Sequence, residues 1–305
     1  MKEALSIWVD AALHAERDRV ACQVRLSHLA KQNIKCHDTE TLFKKVWEHE
    51  KWLDNRIAEM IKTHPTYPWF SRIKGCGPEN MPKVIGLIES FGKYYDVDDP
   101  EIPDPVKVIP VLRTIQKDGK PVEVKQVFVR AIERFTMPSK LRKFAGLYPG
   151  AKRQAGKRLE FNIELRTMLY RLLISFMRAQ NRYYEFYLKY KDWLIKKRAK
   201  EGLQIVSTPK GKYCPNCKEE KGVKSAKYCK ECGAILTRKK ESEGILFLGH
   251  LDAMCKRKMI QLFCDHLWSV WRKAEGLSVT KPYVIEILDH TDYIDPWKMC
   301  DRKEK

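Results

Sequence analysis

FAGLYPGAKRQAGKRLEFNIELRTMLYRLL, residues 144–173, places an apolar run, a turn, a basic loop and a helix in immediate succession. The apolar run from Leu141 to Leu147 predicts a strand. Pro149-Gly150 predicts the turn that ends it, because proline lacks the amide N–H that either regular structure needs. A glycine-containing basic loop follows: Lys152, Arg153, Gln154, Ala155, Gly156, Lys157 and Arg158. Beyond it, Leu165, Met168, Leu169, Leu172 and Leu173 recur at the spacing of one buried helical face.

Charge extends this picture outward. The 305 residues carry a formal charge of +20, enough chain for one large or two ordinary domains. Residues 137–172 hold nine Lys/Arg against two Glu. Residues 181–200 hold seven against two acids, with Tyr183, Tyr184, Tyr187, Tyr190 and Trp193 interleaved. Clustered positive charge points to a polyanion partner, the alternative being a solvated basic surface. The interleaved rings suit stacking on unpaired bases, or packing on the buried side of a helix. No run approaches the roughly 20 apolar residues of a spanning helix, so no membrane partner is expected. No signal peptide is visible, and the ten cysteines read as reduced thiols of a cytoplasm.

Upstream, residues 1–70 predict a helical arm. Leu5, Trp8, Val9, Ala12, Leu13, Val20, Val24 and Leu29 form one stripe. After an Asp38-Thr39 cap, Leu42, Phe43, Val46, Trp47, Leu53, Ile57, Met60 and Ile61 form another, ending before His64-Pro65. The spacing fits either a core or a coiled-coil arm. Residues 71–93 place Gly75-x-Gly77 between apolar stretches, like a helix-hairpin-helix. Two glycines beside a helix N-terminus let backbone N–H groups approach a phosphate, with Lys74, Lys83 and Lys93 as further contacts; a plain helix–helix turn has the same pattern. Residues 94–132 read as an acidic linker, with five acids and three prolines in 94–105, and a β-hairpin turning at Lys117-Asp118-Gly119. Val106, Val108 and Val111 lie on its first arm, where Pro110 marks an edge.

Downstream, Cys214-Pro-Asn-Cys217 and Cys229-Lys-Glu-Cys232 form two C-x2-C knuckles separated by eleven residues. That spacing suits four thiolates around one Zn²⁺, with Gly233 at the turn after the second knuckle; paired disulfides conflict with a reducing compartment. A closed four-cysteine site is structural, since it leaves no coordination position for water or substrate. It also gives residues 201–244, too few for a core of their own, a source of folding energy. Ten Lys/Arg against five Glu between Ile205 and Gly244 leave nucleic-acid contact, protein contact and scaffolding open. Cys255, Cys264 and His266 read as packing residues on a closing helix with the stripe Leu251, Met254, Cys255, Lys258, Leu262 and Trp268. Asp289, His290, Asp292 and Asp295 form an acidic stretch in a tail, residues 283–305.

AGL-x-P at 145–149, the glycine loop and the LR-headed helix resemble the C-terminal half of the insertion-sequence "one-ten" transposases, DEDD-type recombinases guided by a bridge RNA. The helical arm and the Gly75-x-Gly77 turn are similar to family features. Residues 133–200 and 245–282 would then be the transposase-like core, into which 94–132 and 201–244 are inserted. The resemblance implies a serine nucleophile in the basic loop, but Ala155 stands there and offers no nucleophilic atom. It also implies an N-terminal nuclease domain with four metal-binding acids, whereas residues 1–73 show helical periodicity. Ser139 and Ser175 do not match the motif, and no catalytic residue is assigned.

The expected fold is therefore mainly α with a small β component: arm, helix-hairpin-helix-like motif and helical core, with an inserted hairpin and a four-cysteine zinc ribbon. The expected function is binding of a structured noncoding RNA and DNA without cleavage, by a homodimer in a prokaryotic cell or its mobile element. The resemblance also extends to nuclease-free, Nop-related RNA-guided relatives. The alternatives are a recombinase with catalysis supplied in trans, and a zinc-ribbon protein-interaction regulator. The nucleic-acid contacts assigned are Lys74, Gly75, Gly77, Lys83, Lys152, Arg153, Gln154, Lys157, Arg158, Arg166, Arg182, Lys189, Lys196, Lys197 and Arg198; the metal ligands are Cys214, Cys217, Cys229 and Cys232.

Overall fold

The computed structural model describes residues 5–103, 109–117, 120–221, 226–280 and 293–303. The fold is mainly α with small sheets, and the chain divides into two units, 1–182 with 261–305, and 183–260.

In the first unit, α1 (Leu5–Lys31) and α2 (His37–Met60) pair along their length. The apolar stripes bury only near one end of this pair. Leu5, Val9, Ala12 and Leu13 of α1 and Leu53 and Ile57 of α2 are in the core, whereas Val20, Val24, Leu42 and Trp47 are exposed. The second helix begins at His37 with Cys36 as its N-cap, earlier than an Asp38-Thr39 cap implies. A 3-10 turn, Ile61–Thr63, ends it, and His64 is extended before Pro65, as the steric demand of proline on its predecessor requires. The four-residue α3 (Tyr67–Phe70) and α4 (Met81–Glu89) follow, with Pro82 in the first turn of α4 where its missing N–H costs nothing.

The linker-and-hairpin segment contains one strand more than its sequence suggested. β1 (Lys93–Asp96) pairs antiparallel with β3 (Lys120–Val129), which pairs in turn with β2 (Pro110–Lys117), giving the order β1-β3-β2. Pro110 opens an edge strand, where an absent donor is tolerated. Tyr95, Val127 and Val129 form a small core under the sheet. Val106, Val108, Asp118 and Gly119 lie outside the described residues.

The expected strand at 141–147 is a helix. After α5 (Ala131–Arg134), α6 spans Pro138–Phe144, with Pro138 in its first turn, and the chain turns at Ala145–Gly146. Leu141 and Ala145, four residues apart, are both buried: the helical repeat, not the continuous apolar run, was the relevant pattern. The predicted helix is α7 (Ile163–Ala179). Its N-cap Asn162 accepts a hydrogen bond from Leu165 N at 2.9 Å, and Leu165, Met168, Leu169, Leu172 and Leu173 are all buried. The core of the unit is aromatic. Phe263 stacks on Trp69 at 5.6 Å and meets Phe176 edge-on at 5.2 Å. The described part of the tail reaches this core: Pro296 and Met299 of a 3-10 turn are buried, and Trp69 Nε1 donates to Pro296 O at 2.9 Å.

The second unit contains most of α8 (Arg182–Lys200) and the first half of α9 (Leu248–Ala274). The division thus falls at the start of α8 and inside α9. Asp252 receives Tyr187 OH, Lys191 Nζ at 2.9 Å and Lys256 Nζ at 2.7 Å. Burial works against the charge of Asp252, yet these donors hold it down to about 2. β4 (Gln204–Val206) and β7 (Ile245–Phe247) pair in parallel and close the neck of the inserted segment. In α9, Cys255, Cys264 and His266 are buried, as expected of packing residues, whereas Lys258 is exposed and leaves the predicted stripe. Among the described residues no helix is long and apolar enough to cross a membrane.

Candidate metal centre and nucleic-acid interface

Between β4 and β7 the chain has little to bury. β5 (Lys212–Cys214) and β6 (Glu219–Lys221) make a short antiparallel pair carrying the first knuckle. The second knuckle is braced by the bridges Tyr213–Thr237 and Tyr228–Ile235. The two knuckles repeat one geometry. Lys218 N donates to Cys214 O at 2.9 Å, and Gly233 N donates to Cys229 O at 3.0 Å. Both donors have left-handed backbones, with φ of 57° and 72°. Glycine adopts this region freely, while a lysine with its Cβ does so at a cost.

These turns bring the four sulfurs together. Cys214, Cys217, Cys229 and Cys232 place one ligand atom each within 4.8 Å of all the others. Two of the separations are 3.4 Å, Cys214 to Cys232, and 3.9 Å, Cys217 to Cys229. A tetrahedral ion at the Zn–S distance of about 2.3 Å separates its sulfurs by roughly 3.8 Å, so the thiols fit such an ion. The Cys217 N–H donates to Cys214 Sγ at 3.4 Å, which favours the thiolate and lowers the Cys214 thiol to about 7. Hydrogen bonding with Cys232 and Cys214 raises the Cys217 thiol to about 12, opposite to the change at Cys214. Four cysteines competing for protons at van der Waals range is the condition that a cation relieves.

The basic loop projects from the first unit. Asn162 N donates to Phe144 O at 2.8 Å and closes its neck; Arg166 Nη1 donates to Ala151 O at 3.2 Å and braces one limb. Arg166 is therefore half-buried beneath the loop, over the Phe161 ring. Lys152, Arg153, Gln154, Lys157 and Arg158 are all exposed. Among the described residues, none of the four cations has a carboxylate within ion-pair distance, in contrast to Arg17 with Glu164, Arg142 with Asp265 and Arg171 with Glu16. Ala155 is exposed at the tip of the same loop.

On α8 the rings divide between the two roles open to them. Tyr183 and Tyr187 are buried, whereas Trp193 is half exposed, with Lys197 Nζ over its ring at 5.0 Å. Lys189, Lys196 and Lys197 are not buried, and Arg198 is partly buried and paired with Glu201 at 2.6 Å.

The glycine turn is organised differently from a phosphate cradle. Gly75 has φ +92°, and a Cβ there would meet the Ser175 backbone at 3.2 Å and Phe176 at 3.1 Å. Its carbonyl accepts from Ser175 Oγ at 3.0 Å. The neighbouring Lys74 backbone is engaged on both sides, donating to Asp301 Oδ2 at 2.8 Å and accepting from Asn181 Nδ2 at 2.6 Å. Gly75 is thus required for contact with α7, and only the Lys74 side chain remains exposed. Gly77 has open space around it. Lys83 is buried, its ammonium 2.9 Å from Asp54 and 3.5 Å from Glu16, so it is withdrawn from any surface. The Arg182 side chain donates to Lys298 O. Asp301, which sequence reasoning passed over, also accepts from Arg182 N at 3.0 Å; nothing local marks it, because its partners lie more than a hundred residues away. Asp295 caps the last 3-10 turn by accepting from Trp297 N at 2.8 Å. Asp289, His290 and Asp292 lie outside the described residues.

No family of known proteins, no curated protein and no solved structure matches this chain.

Proposed function

We propose that the four cysteines hold one structural Zn²⁺, and that the protein binds a structured RNA, and DNA with it, without cleaving either. The observation that carries the nucleic-acid reading is the exposed loop 152–158, whose four cations lack acidic partners among the described residues. Arg17, Arg142 and Arg171, by contrast, are paired with Glu164, Asp265 and Glu16. Cations left free at one protruding loop suit a ligand that brings its own phosphates. Trp193 with Lys197 on α8 offers a ring and a charge to an unpaired base. The resemblance to bridge-RNA-guided transposases supports an RNA partner, and Ala155 supports binding without a covalent step. Homodimerisation fits the exposed apolar residues Val20, Val24, Leu42 and Trp47 of the α1–α2 arm, and a prokaryotic cytoplasm fits cysteines that are not joined in disulfides.

The test is retention of nucleic acid. RNA and DNA that co-purify with the protein are sequenced, and binding is then measured against salt for wild type and for Lys152→Glu/Arg153→Glu/Lys157→Glu/Arg158→Glu. Reversing about eight units of charge abolishes binding at physiological salt and flattens the salt dependence. A folded quadruple variant that still holds its nucleic acid refutes this assignment. Weak salt dependence in the wild type would instead favour a protein-interaction regulator. A strand cut or a covalent DNA adduct would favour a recombinase.

A further inference from the structure

Away from the loop and the cysteines, the first unit contains a cleft of about 680 Å³ with mostly apolar walls, among them Leu5, Met60, Phe128, Ile132 and Trp271. Two titratable side chains sit in it together: His64 Nε2 lies 3.8 Å from Glu89 Oε1. The tautomer of His64 follows from its other nitrogen. Nδ1 accepts from the Thr66 backbone N–H at 3.2 Å, which places the ring proton on Nε2, facing Glu89. The imidazole itself is kept neutral, its pKa depressed by burial to about 4.

Among the described residues, Glu89 has no Lys or Arg within ion-pair distance. Burial, with Glu275 adding repulsion, raises it to about 7, against the opposing pull of the Ser6 backbone N–H and Arg130. Arg130 is the guanidinium of the cleft, and it is already committed to Glu133 at 2.8 Å and Glu275 at 2.6 Å. Among the described residues, the charged and titratable groups facing Glu89 are therefore His64, Arg130 and Glu275, with Glu133 behind Arg130. Once Glu89 ionises, the acids outnumber the cations. Positive charge in a cavity with aromatic walls is the missing element, and the volume lies within the range of small-molecule sites.

We propose that this cleft binds an organic ammonium ion, with the charge on Glu89 and the apolar body against Trp271 and Phe128. Binding the cation favours the Glu89 carboxylate, and the Nε2–H of His64 is the donor placed to support it. A proton therefore leaves Glu89 when the ligand enters below neutrality. The site is independent of the nucleic-acid reading, and neither depends on the other.

Benzylammonium is the probe and benzyl alcohol its uncharged control, measured by titration calorimetry on the full chain in buffers of differing ionisation enthalpy. The account expects benzylammonium to bind about tenfold more tightly at pH 8 than at pH 6, following the ionised fraction of Glu89. It expects more than about half a proton released per ligand at pH 6.5, and at least about tenfold weaker binding, flat with pH, in Glu89→Gln. Glutamine has the shape of the protonated acid that occupies the empty cleft at low pH, so the variant keeps the fold, as circular dichroism will report. Equal binding of benzyl alcohol, pH-independent affinity with no proton release, undiminished binding by folded Glu89→Gln, or no binding by the wild type at millimolar probe would each overturn the proposal.

Discussion

In the first unit, Trp69, Phe176, Phe263 and Trp268 fill an interior of large rings. In the inserted segment the buried cluster is Cys214, Cys229 and Leu236, with Cys217 and two alanines packed beside it. One interior is stabilised by removing apolar area from water, roughly 25 cal/mol per Å². The other buries so little that, among the described residues, two of the three in its cluster are cysteines of the candidate metal site. The difference points to two sources of folding energy: distributed packing where helices supply apolar faces, and, on the proposed zinc reading, a single ion where short strands cannot.

The largest expected effect is on the side with less packing. Cys214→Ser removes one of four ligands. It should abolish zinc binding and unfold the segment between β4 and β7, with a loss on the order of 10 kcal/mol of metal-linked folding energy. Elemental analysis and near-ultraviolet circular dichroism report this, and the aromatic signal of the first unit should persist. Protein purified without chelator that contains no zinc would break the comparison at its base.

Next in size is Phe263→Ala, which leaves a cavity against Trp69 and Phe176 and should cost about 3–5 kcal/mol in denaturant unfolding. Zinc content should not change. Loss of zinc in this variant would mean the two interiors are not separate.

A third effect has a sign specific to the first unit. Glu89 has a folded pKa of about 7 against an ordinary 4.5. Between those values the folded state holds more protons than the unfolded state, so stability falls as pH rises through this window and is level above it. Glu89→Gln removes that penalty. It should leave stability unchanged near pH 4 and raise it by up to roughly 3 kcal/mol at pH 8. His64 and His266, held near 4 by burial, act in the opposite sense. Their contributions are present above about pH 6.5 and are lost as pH falls toward 4, in wild type and variant alike. Thermal unfolding across pH 4 to 8 separates the two.

The two regions also differed in how much their sequences disclosed. The knuckles were legible because metal ligation is local: two cysteines three apart, twice, with a glycine after the second pair. Helix α7 was legible because its leucines keep one period and Asn162 caps it. The same reasoning took Leu141–Leu147 for a strand, since a short apolar run suits either structure and the packing against Leu141 and Ala145 decided it. The packing of Gly75 and Lys83 was not legible, for a stronger reason. Their roles are set by Ser175, Glu16 and Asp54, remote in sequence, and a glycine or lysine gives no local sign of being occupied. The Glu89–His64 cleft was invisible for the same reason. The loop 152–158 was the reverse case, its exposure following directly from its charge.

The smallest effect sharpens the comparison within the metal segment. Lys218 and Gly233 occupy equivalent left-handed positions, and only one is a glycine. Lys218→Gly should stabilise the zinc-bound segment by about 0.5–1 kcal/mol, seen as a higher chelator concentration at half-loss of metal.

Native-state hydrogen exchange during zinc chelation tests the division most directly. The amides of Lys218 and Gly233, bonded to the first cysteine of each knuckle, should be protected with zinc and lose protection when it is withdrawn, while amides of α7 around Leu169 remain protected. Protection at Lys218 and Gly233 that survives removal of the metal, or its simultaneous loss from α7, would contradict the account.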